Sequence, residues 1–472
     1  MNYWEQQYLE VMVQFQTLLP QIKGVILGFN VNLDKIIEIT PEILENILLT
    51  FEYPELFLAK PSPPEISSIE DLVCNLINTI KTGKADESLI TSEEVCVWIE
   101  NHFNIHATQI GGQAGIMSNL LAKIGVKDIL LNFPFSSKKL RKLLNSSILV
   151  PEGLEKVIDN KKKKYNDGKI EPISHYVFEF KKAIYHVGSK EIHCERQNRF
   201  IASFDTINSE LKLGKNFIDY SVTYIKNYSQ AIISGFHLIK PESSSITYSE
   251  MLKPIINLLK AWKELNPLLK IHLELTAIKD KKLRNIILKE LFPLVDSIGM
   301  NEQELLLLLE IQHPSVFTRI KDNLNSINLF EGLLRVFNDF KDKHLIFHTL
   351  GYYLFLSKNL DNAKTIQRKN SLLFASLFAA AKAEKGDSFS LYDLPKDSVH
   401  LSEFGRKEIQ LLNSYLKEKY CEESTLYATG IFKSSNFNLI AIPTILVESP
   451  KMLVGLGDTI SLIAVLFDAI KK

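Results

Sequence analysis

The segment VGLGDTIS at 454–461, followed directly by the apolar run Leu462–Ile470, decides how the fold is interpreted. Two glycines before an apolar run predict a tight turn that leads into a buried helix. Gly455 and Gly457 let successive backbone N–H groups point to one place, where the positive end of the helix dipole also lies. The turn therefore predicts an anion-binding hole. Asp458 lies at its mouth, where a carboxylate can accept a proton, although an Asp that merely caps a helix gives the same pattern.

Short apolar runs alternate with long amphipathic runs over most of the chain upstream of this segment. Helical spacing is clear in Tyr248–Leu265 and in Leu372–Glu384. The alternation predicts parallel strands joined by crossover helices, so the expected fold class is α/β, with a doubly wound sheet flanked by helices. The predicted strands are Gly24–Asn30, which is expected to open into a polar loop, and Lys127–Phe133, Ala231–Leu238, Lys270–Thr276, His344–His348 and Phe437–Ile442.

A second, smaller unit is predicted from a change of character after residue 160. The segments His175–Phe180 and Ala183–Val187 are short, aromatic and β-branched, without long helices around them. These features predict a β-rich lid inserted into the larger unit. We expect the large domain to comprise residues 1–30, 111–160 and 202–472, and the lid residues 31–110 and 161–201. A chain of 472 residues is long enough for two such units.

Polar side chains follow several of the predicted strands. They are found in Asn30–Asp34, His272–Glu274, Asn301–Glu304 and His348–Thr349, each at or just after the end of an apolar run. In an open parallel sheet, ligands bind beyond the carboxyl ends of the strands. The sequence therefore predicts one polar crevice built from these four segments.

The composition excludes several classes of function. Lys plus Arg and Asp plus Glu each number 55, so the chain lacks the basic excess of a general nucleic-acid or membrane-surface binder. The basic run Lys161–Lys164 is the one candidate for a local basic patch, and a solvated loop is the favoured interpretation. The four cysteines are far apart and form no zinc or disulfide pattern. Met1–Leu19 lacks the features of a signal peptide, and no apolar stretch of about 18 residues is present, so we expect a cytoplasmic protein.

Six motifs in order give the sequence a recognisable character: GFNVNLD at 28–34, GGQAGI at 111–116, HLELTA at 272–277, GMNEQEL at 299–305, HTLGYYL at 348–354 and VGLGDTIS at 454–461. Over essentially its whole length the chain resembles the ADP-dependent glucokinases and phosphofructokinases, a ribokinase-like family best known from archaea. The resemblance implies that a phosphoryl group passes from ADP to a sugar, releasing AMP, with Mg²⁺ required. We expect a monomer or a small homo-oligomer.

The resemblance assigns roles to the motif residues. Asp458 is the expected general base, and Gly455 and Gly457 form the hole that receives the phosphoryl group. Amide and carboxylate groups that can pair with sugar hydroxyls occur at Asn32, Asp34, Gly112 and Gln113. An Asx turn at 30–34 and a glycine turn at 111–115 are the alternative interpretations of those segments.

The metal and nucleotide sites are expected on neighbouring strand ends. Glu274 and Glu304, with Asp458, are the predicted Mg²⁺ residues, acting largely through water. Glu302 lies in the same motif and is an alternative to Glu304, and an acidic first helical turn without a metal would give the same pattern. The resemblance assigns Asn301, His348, Thr349 and Gly457 to the nucleotide side.

Three lid segments bear on the choice of sugar. GKADE at 83–87 matches the glucose-using form, with Glu87, or alternatively Asp86, as the carboxylate that accepts from sugar hydroxyls. His175 precedes the FEF element as in glucokinases. The phosphofructokinase form has a lysine near Ile173 that is absent here. Arg199, together with Arg196, is compatible with either sugar.

Glucose is therefore the predicted acceptor, and a fructose 6-phosphate kinase or a bifunctional enzyme is the alternative. In that case Lys164, Lys169 or Lys181 would replace the missing phosphate contact. A catalytically silent sugar- or nucleotide-binding homologue and an ATP-using enzyme are further alternatives. The presence of Asp458, Glu274 and Glu304 argues for an active enzyme.

Overall fold

The computed structural model describes residues 3–134, 138–151, 170–241, 246–358, 360–394, 399–420, 423–452, 454–467 and 470. Over these ranges the strands form a ten-stranded sheet, a six-stranded sheet and a two-stranded hairpin. No helix within the described ranges is long and apolar enough to cross a membrane.

Strands and helices alternate over much of the described chain, and the exceptions include four consecutive strands between residues 173 and 205 and three consecutive helices between residues 302 and 339. The strands are β1 (Gly24–Gly28), β2 (Asn32–Ile39), β3 (Glu65–Ile66), β4 (Asp86–Ile90), β5 (Ala107–Gly111), β6 (Ile129–Leu131), β7 (Ile148–Leu149), β8 (Ile173–Phe180), β9 (Ala183–Val187), β10 (Lys190–Cys194), β11 (Asn198–Asp205), β12 (Tyr228–Ile233), β13 (Lys270–Glu274), β14 (Ser297–Met300), β15 (His344–His348), β16 (Tyr352–Ser357), β17 (Ile431–Lys433) and β18 (Asn438–Pro443). The helices are α1 (Tyr3–Leu18), α2 (Pro41–Leu48), α3 (Ile69–Thr82), α4 (Glu93–His102), α5 (Gln113–Ile124), α6 (Lys138–Leu143), α7 (Lys215–Thr223), α8 (Tyr248–Leu265), α9 (Lys281–Glu290), α10 (Glu302–Gln312), α11 (Pro314–Ile320), α12 (Ser326–Asp339), α13 (Asn362–Lys385), α14 (Glu403–Tyr420), α15 (Leu426–Thr429) and α16 (Leu456–Leu466).

The ten-stranded sheet, called the large sheet below, has the order β17-β18-β16-β15-β14-β13-β12-β1-β6-β7. Neighbours from β15 to β7 are parallel, and β16, β18 and β17 add an antiparallel edge. Its apolar side chains pack on both faces, against α1, α5, α13 and α16 on one side and α7, α8, α9, α12 and α14 on the other. The predicted doubly wound α/β fold is confirmed.

The six-stranded sheet, called the small sheet, has the order β3-β4-β11-β8-β2-β5. One face is covered by α2, α3 and α4, whose buried side chains form a core of their own with this sheet. The other face contributes Ile36, Val177 and Ile201 to a cluster with Val454, which precedes α16. This face of the small sheet therefore packs against the glycine turn of the large unit. The helices α2, α3 and α4 lie in residues 41–102, and the segments predicted to be β-rich after residue 160 form β8 to β11.

Two local predictions were wrong. The loop expected after β1 is only Phe29–Val31, because Asn32 and Asp34 are the first residues of β2, where Ile36, Ile37 and Ile39 are buried. A run of β-branched side chains that all find apolar partners favours a strand over a turn. The terminal helix begins at Leu456 and not at Leu462, so Asp458 lies within its first turn.

The sheet order changes direction at β1. The strands β6 and β7 lie on one side of β1, and the chain then returns to place β12 on the other side. The carboxyl ends of β1 and β12 approach so closely that a Cβ at Gly235, whose φ is +84°, would overlap Asn30. Such a switch point opens a crevice in α/β sheets. We call the space between the carboxyl ends of β1 and β12–β15 and the facing small sheet the crevice.

Candidate active site

The glycine turn before α16 opens onto the crevice. Gly455 has φ +71°, a conformation that costs side-chain-bearing residues energy. The backbone reverses there, so α16 begins with free N–H groups and its positive dipole end beside the crevice. This geometry can hold a phosphoryl group without any side chain.

Asp458 is the acidic residue of the first turn of α16. Loss of water around it raises the pKa of its carboxyl group, which the nearby charge of Lys382 and a hydrogen bond with Gln113 partly offset. Lys382 is buried, and its Nζ lies 2.8 Å from where a Cβ on Gly455 would be. Asp458 is thus a carboxylate of increased basicity beside an anion-binding turn, as a general base requires.

A hydrogen-bonding cluster lies where β2 meets β5 and α5. Asn32 Nδ2 donates to Asp34 Oδ1, and burial raises the pKa of Asp34 to about 7. A Cβ on Gly111 would overlap this pair, which explains the glycine. Gln113 Oε1 accepts from the backbone N–H of Gly235 at 3.0 Å and so joins β12 to the same cluster.

Two carboxamide oxygens of this cluster lack protein partners. The Oδ1 atoms of Asn30 and Asn32 are buried, and neither has a hydrogen-bond partner among the described residues. Buried polar atoms nearly always have hydrogen-bond partners, so two buried oxygens without partners in a crevice indicate a place where a ligand can donate hydrogen bonds. Sugar hydroxyl groups are donors of that kind.

Glu87 of β4 projects between the two sheets. Its Oε1 accepts from Ser203 Oγ at 2.5 Å and lies 3.7 Å from His175 Nδ1, and its Oε2 lies 3.2 Å from His237 Nε2. Burial alone would raise the pKa of Glu87, but His237, His175 and Ser203 lower it to about 2. Glu87 is therefore a fixed negative charge in the crevice.

His175 is oriented from its other side by Asp205. His175 Nε2 lies 2.9 Å from Asp205 Oδ2. Burial would lower the pKa of His175, but the hydrogen bond and charge of Asp205, with the charges of Glu87 and Asp34, raise it. The structure thus brings the predicted sugar residues Asp34, Glu87 and His175 into one charged network.

The two carboxylates predicted to face Mg²⁺, those of Glu274 and Glu304, have unequal environments. Glu274 ends β13 with Oε2 at 3.3 Å from His272 Nε2 and Oε1 at 3.4 Å from His348 Nε2. Burial would raise its pKa, but these two histidines lower it to about 2. Burial and the charge of Glu274 raise the pKa of Glu304 to about 8. A cation between the two acids would relieve this repulsion, so the donor set fits Mg²⁺.

Glu304 also belongs to a helix cap. Its carboxylate accepts from the backbone N–H of Asn301 at 2.8 Å and from Asn301 Nδ2 at 3.0 Å, while Asn301 Oδ1 caps α10. In the part of the chain that the structure describes, no group of three or more His, Cys, Asp or Glu side chains is arranged as a direct metal site.

The remaining predicted residues are distributed along the crevice. Burial raises the pKa values of Asp34 and Asp458, and the charge of Arg199 on β11 offsets a small part of both rises, so this charge reaches both carboxyl groups. His348 is buried between Glu274 and Gly457, and the Thr349 N–H donates to Tyr352 O in a turn.

Of the lysines considered for a sugar phosphate, the structure describes only Lys181. Lys181 is exposed and pairs with Glu38 at 2.5 Å. The basic run Lys161–Lys164 and Lys169 lie outside the described residues. Sequence reasoning missed two residues, His237 and Lys382. His237 follows β12 in the segment GFH, so the rule that ligands lie beyond strand ends would have indicated it; nothing in the sequence indicates Lys382, which lies within a helix.

Known proteins are similar to this chain over nearly its whole length. The family model described as "ADP-specific Phosphofructokinase/Glucokinase conserved region" matches residues 23–467. The chain belongs to this family. It is an ADP-dependent sugar kinase.

Relatives within the ADP-specific phosphofructokinase/glucokinase family carry both sugar names. The chain is 32% identical to an ADP-dependent glucose/glucosamine kinase of Pyrococcus abyssi, over 97% of each chain. It is 27% identical to an ADP-specific phosphofructokinase of Methanosarcina acetivorans, over 97% of this chain and 95% of that one. A solved ADP-dependent kinase complex with fructose-6-phosphate and ADPβS superimposes with a TM-score of 0.84 at 28% identity, covering 100% of this chain and 99% of that one.

Lys382 generates a prediction about pH. Replacing it with the similarly sized Met removes a positive charge near Asp458, which should raise the pKa of Asp458 further. Because the base must be ionised, the acid limb of the kcat/KM profile should move to higher pH. Lys385→Met is the matched control, since Lys385 lies on the same helix but is exposed and paired with Glu384. A Lys382→Met profile that overlays the parent and control profiles would contradict the role.

Proposed function

We propose that the chain is an ADP-dependent glucokinase that transfers the β-phosphoryl group of ADP to glucose, giving glucose 6-phosphate and AMP. The observation that carries the choice of glucose is the half-buried, ionised carboxylate of Glu87 at the wall of the crevice. An ionised carboxylate accepts strongly from neutral hydroxyl groups and repels a sugar phosphate.

The acceptor is bound by the cluster around Asn32 and Asp34. The unpaired Asn30 and Asn32 oxygens and the Asp34 carboxyl group accept from sugar hydroxyls, and Glu87 accepts from another hydroxyl. His175, held by Asp205, can donate to the sugar or keep Glu87 in place. Leaving these polar groups without hydrogen-bond partners costs free energy, so a polyol binds in preference to a less hydroxylated molecule.

Asp458 takes the proton of the attacking hydroxyl. The sugar oxygen then bonds to the β-phosphorus while the bond from that phosphorus to the bridging oxygen breaks, and AMP leaves with that oxygen. Negative charge that develops on the phosphoryl oxygens is stabilised by the N–H groups at Gly455–Gly457 and by the charge of Arg199. The charge of Lys382 favours the ionised form of Asp458, which is the form that can receive the proton.

Mg²⁺, when bound, neutralises phosphate charge. Glu274 and Glu304 would hold it through water, and Glu304, which is otherwise stabilised in the protonated form, would ionise in its presence. Asn301 fixes Glu304, and His272 and His348 fix Glu274, so these residues orient the carboxylates that face the ion.

Fructose 6-phosphate is the alternative acceptor, favoured by the structural relative solved with that sugar and by the phosphofructokinase names among the relatives. Arg199 could pair with a phosphate. Against it stand the charge of Glu87 and the position of Lys181, which is paired with Glu38 at the surface.

The proposal predicts that, with ADP as donor, glucose has a higher kcat/KM than fructose 6-phosphate. Glu87→Ala should lower kcat/KM for glucose by about 10- to 100-fold, the effect of losing a hydrogen bond of about 1.5–3 kcal/mol to a charged group. The kcat/KM for fructose 6-phosphate should not fall, since the substitution removes a charge that repels the sugar phosphate. Steady-state kinetics of both proteins on both sugars measure this.

Asp86→Ala is the control for that experiment. Asp86 is the adjacent acid but pairs with Lys279 at 2.6 Å, so its loss should change neither sugar by more than about threefold. The glucokinase proposal fails if the parent prefers fructose 6-phosphate, or if Glu87→Ala affects both sugars equally. Repeating the assays with ATP in place of ADP tests the choice of phosphoryl donor separately from the choice of sugar.

The proposed metal role predicts that Glu274→Gln raises the Mg²⁺ concentration for half-maximal rate by about tenfold. Glu304→Gln should act in the same direction, and a larger effect of Glu302→Gln would identify Glu302 as the metal-side acid instead. Glu310→Gln is the matched control, because Glu310 lies on the same helix and pairs with Arg284 at 2.7 Å away from this cluster. Mg²⁺ titrations that overlay for all four variants would mean that these acids are structural.

A further inference from the structure

His237 contacts Glu87 from the opposite sheet. His237 follows β12 of the large sheet in a short 3-10 turn, whereas Glu87 lies on β4 of the small sheet. The 3.2 Å contact between His237 Nε2 and Glu87 Oε2 therefore crosses the crevice. The two oxygens of Glu87 are divided between the sheets, since Oε1 contacts Ser203 and His175 of the small sheet.

The environment of the imidazole indicates which nitrogen carries the proton. His237 Nδ1 is buried and has no hydrogen-bond partner among the residues described. A proton on Nε2 lets the ring donate to Glu87 Oε2, and Nδ1 is then the ring nitrogen without a partner among the described residues. His237 is thus suited to act as a hydrogen-bond donor to this carboxylate.

Other pairs cross between the sheets at the same edge. Lys279 pairs with Asp86 at 2.6 Å and its Nζ donates to the backbone oxygen of Glu87 at 2.8 Å. Lys240 pairs with Glu65 of β3. The side chains of Lys279, Lys240 and Glu65 are 62%, 48% and 38% exposed, whereas those of His237 and Glu87 are 16% and 24% exposed. The contact between His237 and Glu87 is shielded and therefore stronger than the two exposed pairs, because solvent weakens exposed ion pairs.

We propose that His237 is a specificity-determining positioning residue that holds the Glu87 carboxylate in place for a neutral sugar. The inference rests on the proposed function in one respect, namely that Glu87 contacts the acceptor. Since the donor belongs to one sheet and the carboxylate to the other, Glu87 is fully positioned only when the two sheets face each other as they do here. Sugar recognition then depends on the arrangement of both sheets.

The test is a double-mutant cycle between His237→Leu and Glu87→Gln, with purified full-length protein, ADP and saturating Mg²⁺. In the parent, His237→Leu should raise the KM for glucose about tenfold or more and change kcat by less than about threefold. In the Glu87→Gln background, the same change should raise the KM by less than about twofold, because the carboxylate it positions is gone. His237→Gln keeps an N–H donor and should restore at least half of the lost affinity on a logarithmic scale.

Lys240→Met is the matched control, because it removes an exposed crossing pair that does not touch Glu87 and should leave the sugar KM within about twofold. Thermal unfolding of each variant shows whether it is folded. Equal effects of His237→Leu in both backgrounds, or no effect in the parent, overturn the inference. If the parent prefers fructose 6-phosphate, the glucokinase proposal fails separately, and the cycle on that sugar still decides whether His237 acts through Glu87.

Discussion

The crevice shields several carboxylates from bulk water, and the charge state of each depends on which nearby groups offset the loss of solvation. Glu87 and Glu274 each have two histidines as partners, and the pKa of each falls to about 2. Asp34 and Glu304 have weaker compensation, and their pKa values rise to about 7 and about 8. Burial alone would thus raise the pKa of all four carboxyl groups. The two with histidine partners remain charged, and the two with weaker partners can titrate near neutral pH.

These differences in pKa give the two ends of the crevice different chemical properties. The end formed by β2, β4 and β8 combines the fixed charge of Glu87 with unpaired carboxamide oxygens, which suits hydroxyl groups. The end formed by β13, β14 and α10 carries Glu274 and Glu304, whose repulsion suits a cation with phosphates. Asp458 is within reach of groups from both ends, since the charges of Lys382, Glu274 and Arg199 and a hydrogen bond with Gln113 act on its carboxyl group. An in-line transfer from donor to acceptor requires a base at that meeting point.

Much of the fold and part of the site were predictable from the sequence. The alternation of apolar and amphipathic runs predicted the doubly wound sheet, and His344–His348 and Tyr248–Leu265 were predicted with the bounds that the structure has. The start of β2 was missed, because Asn32 and Asp34 are polar and only the small sheet makes a strand of them. His237 and Lys382 were missed for a different reason. Their importance comes from what faces them across the fold, Glu87 for one and Asp458 for the other, and no local pattern encodes such a partner.

The central claim is that Asp458, at the glycine turn, is the base for phosphoryl transfer from ADP to a sugar. Asp458→Ala tests it most directly, with kcat measured on glucose and fructose 6-phosphate and ADP affinity measured by calorimetry on the same protein. A positioned base contributes about 10²- to 10⁴-fold, so the account predicts that kcat falls by at least about 10²-fold while the ADP dissociation constant stays within about threefold. A kcat near that of the parent on either sugar, with ADP still bound, would contradict it.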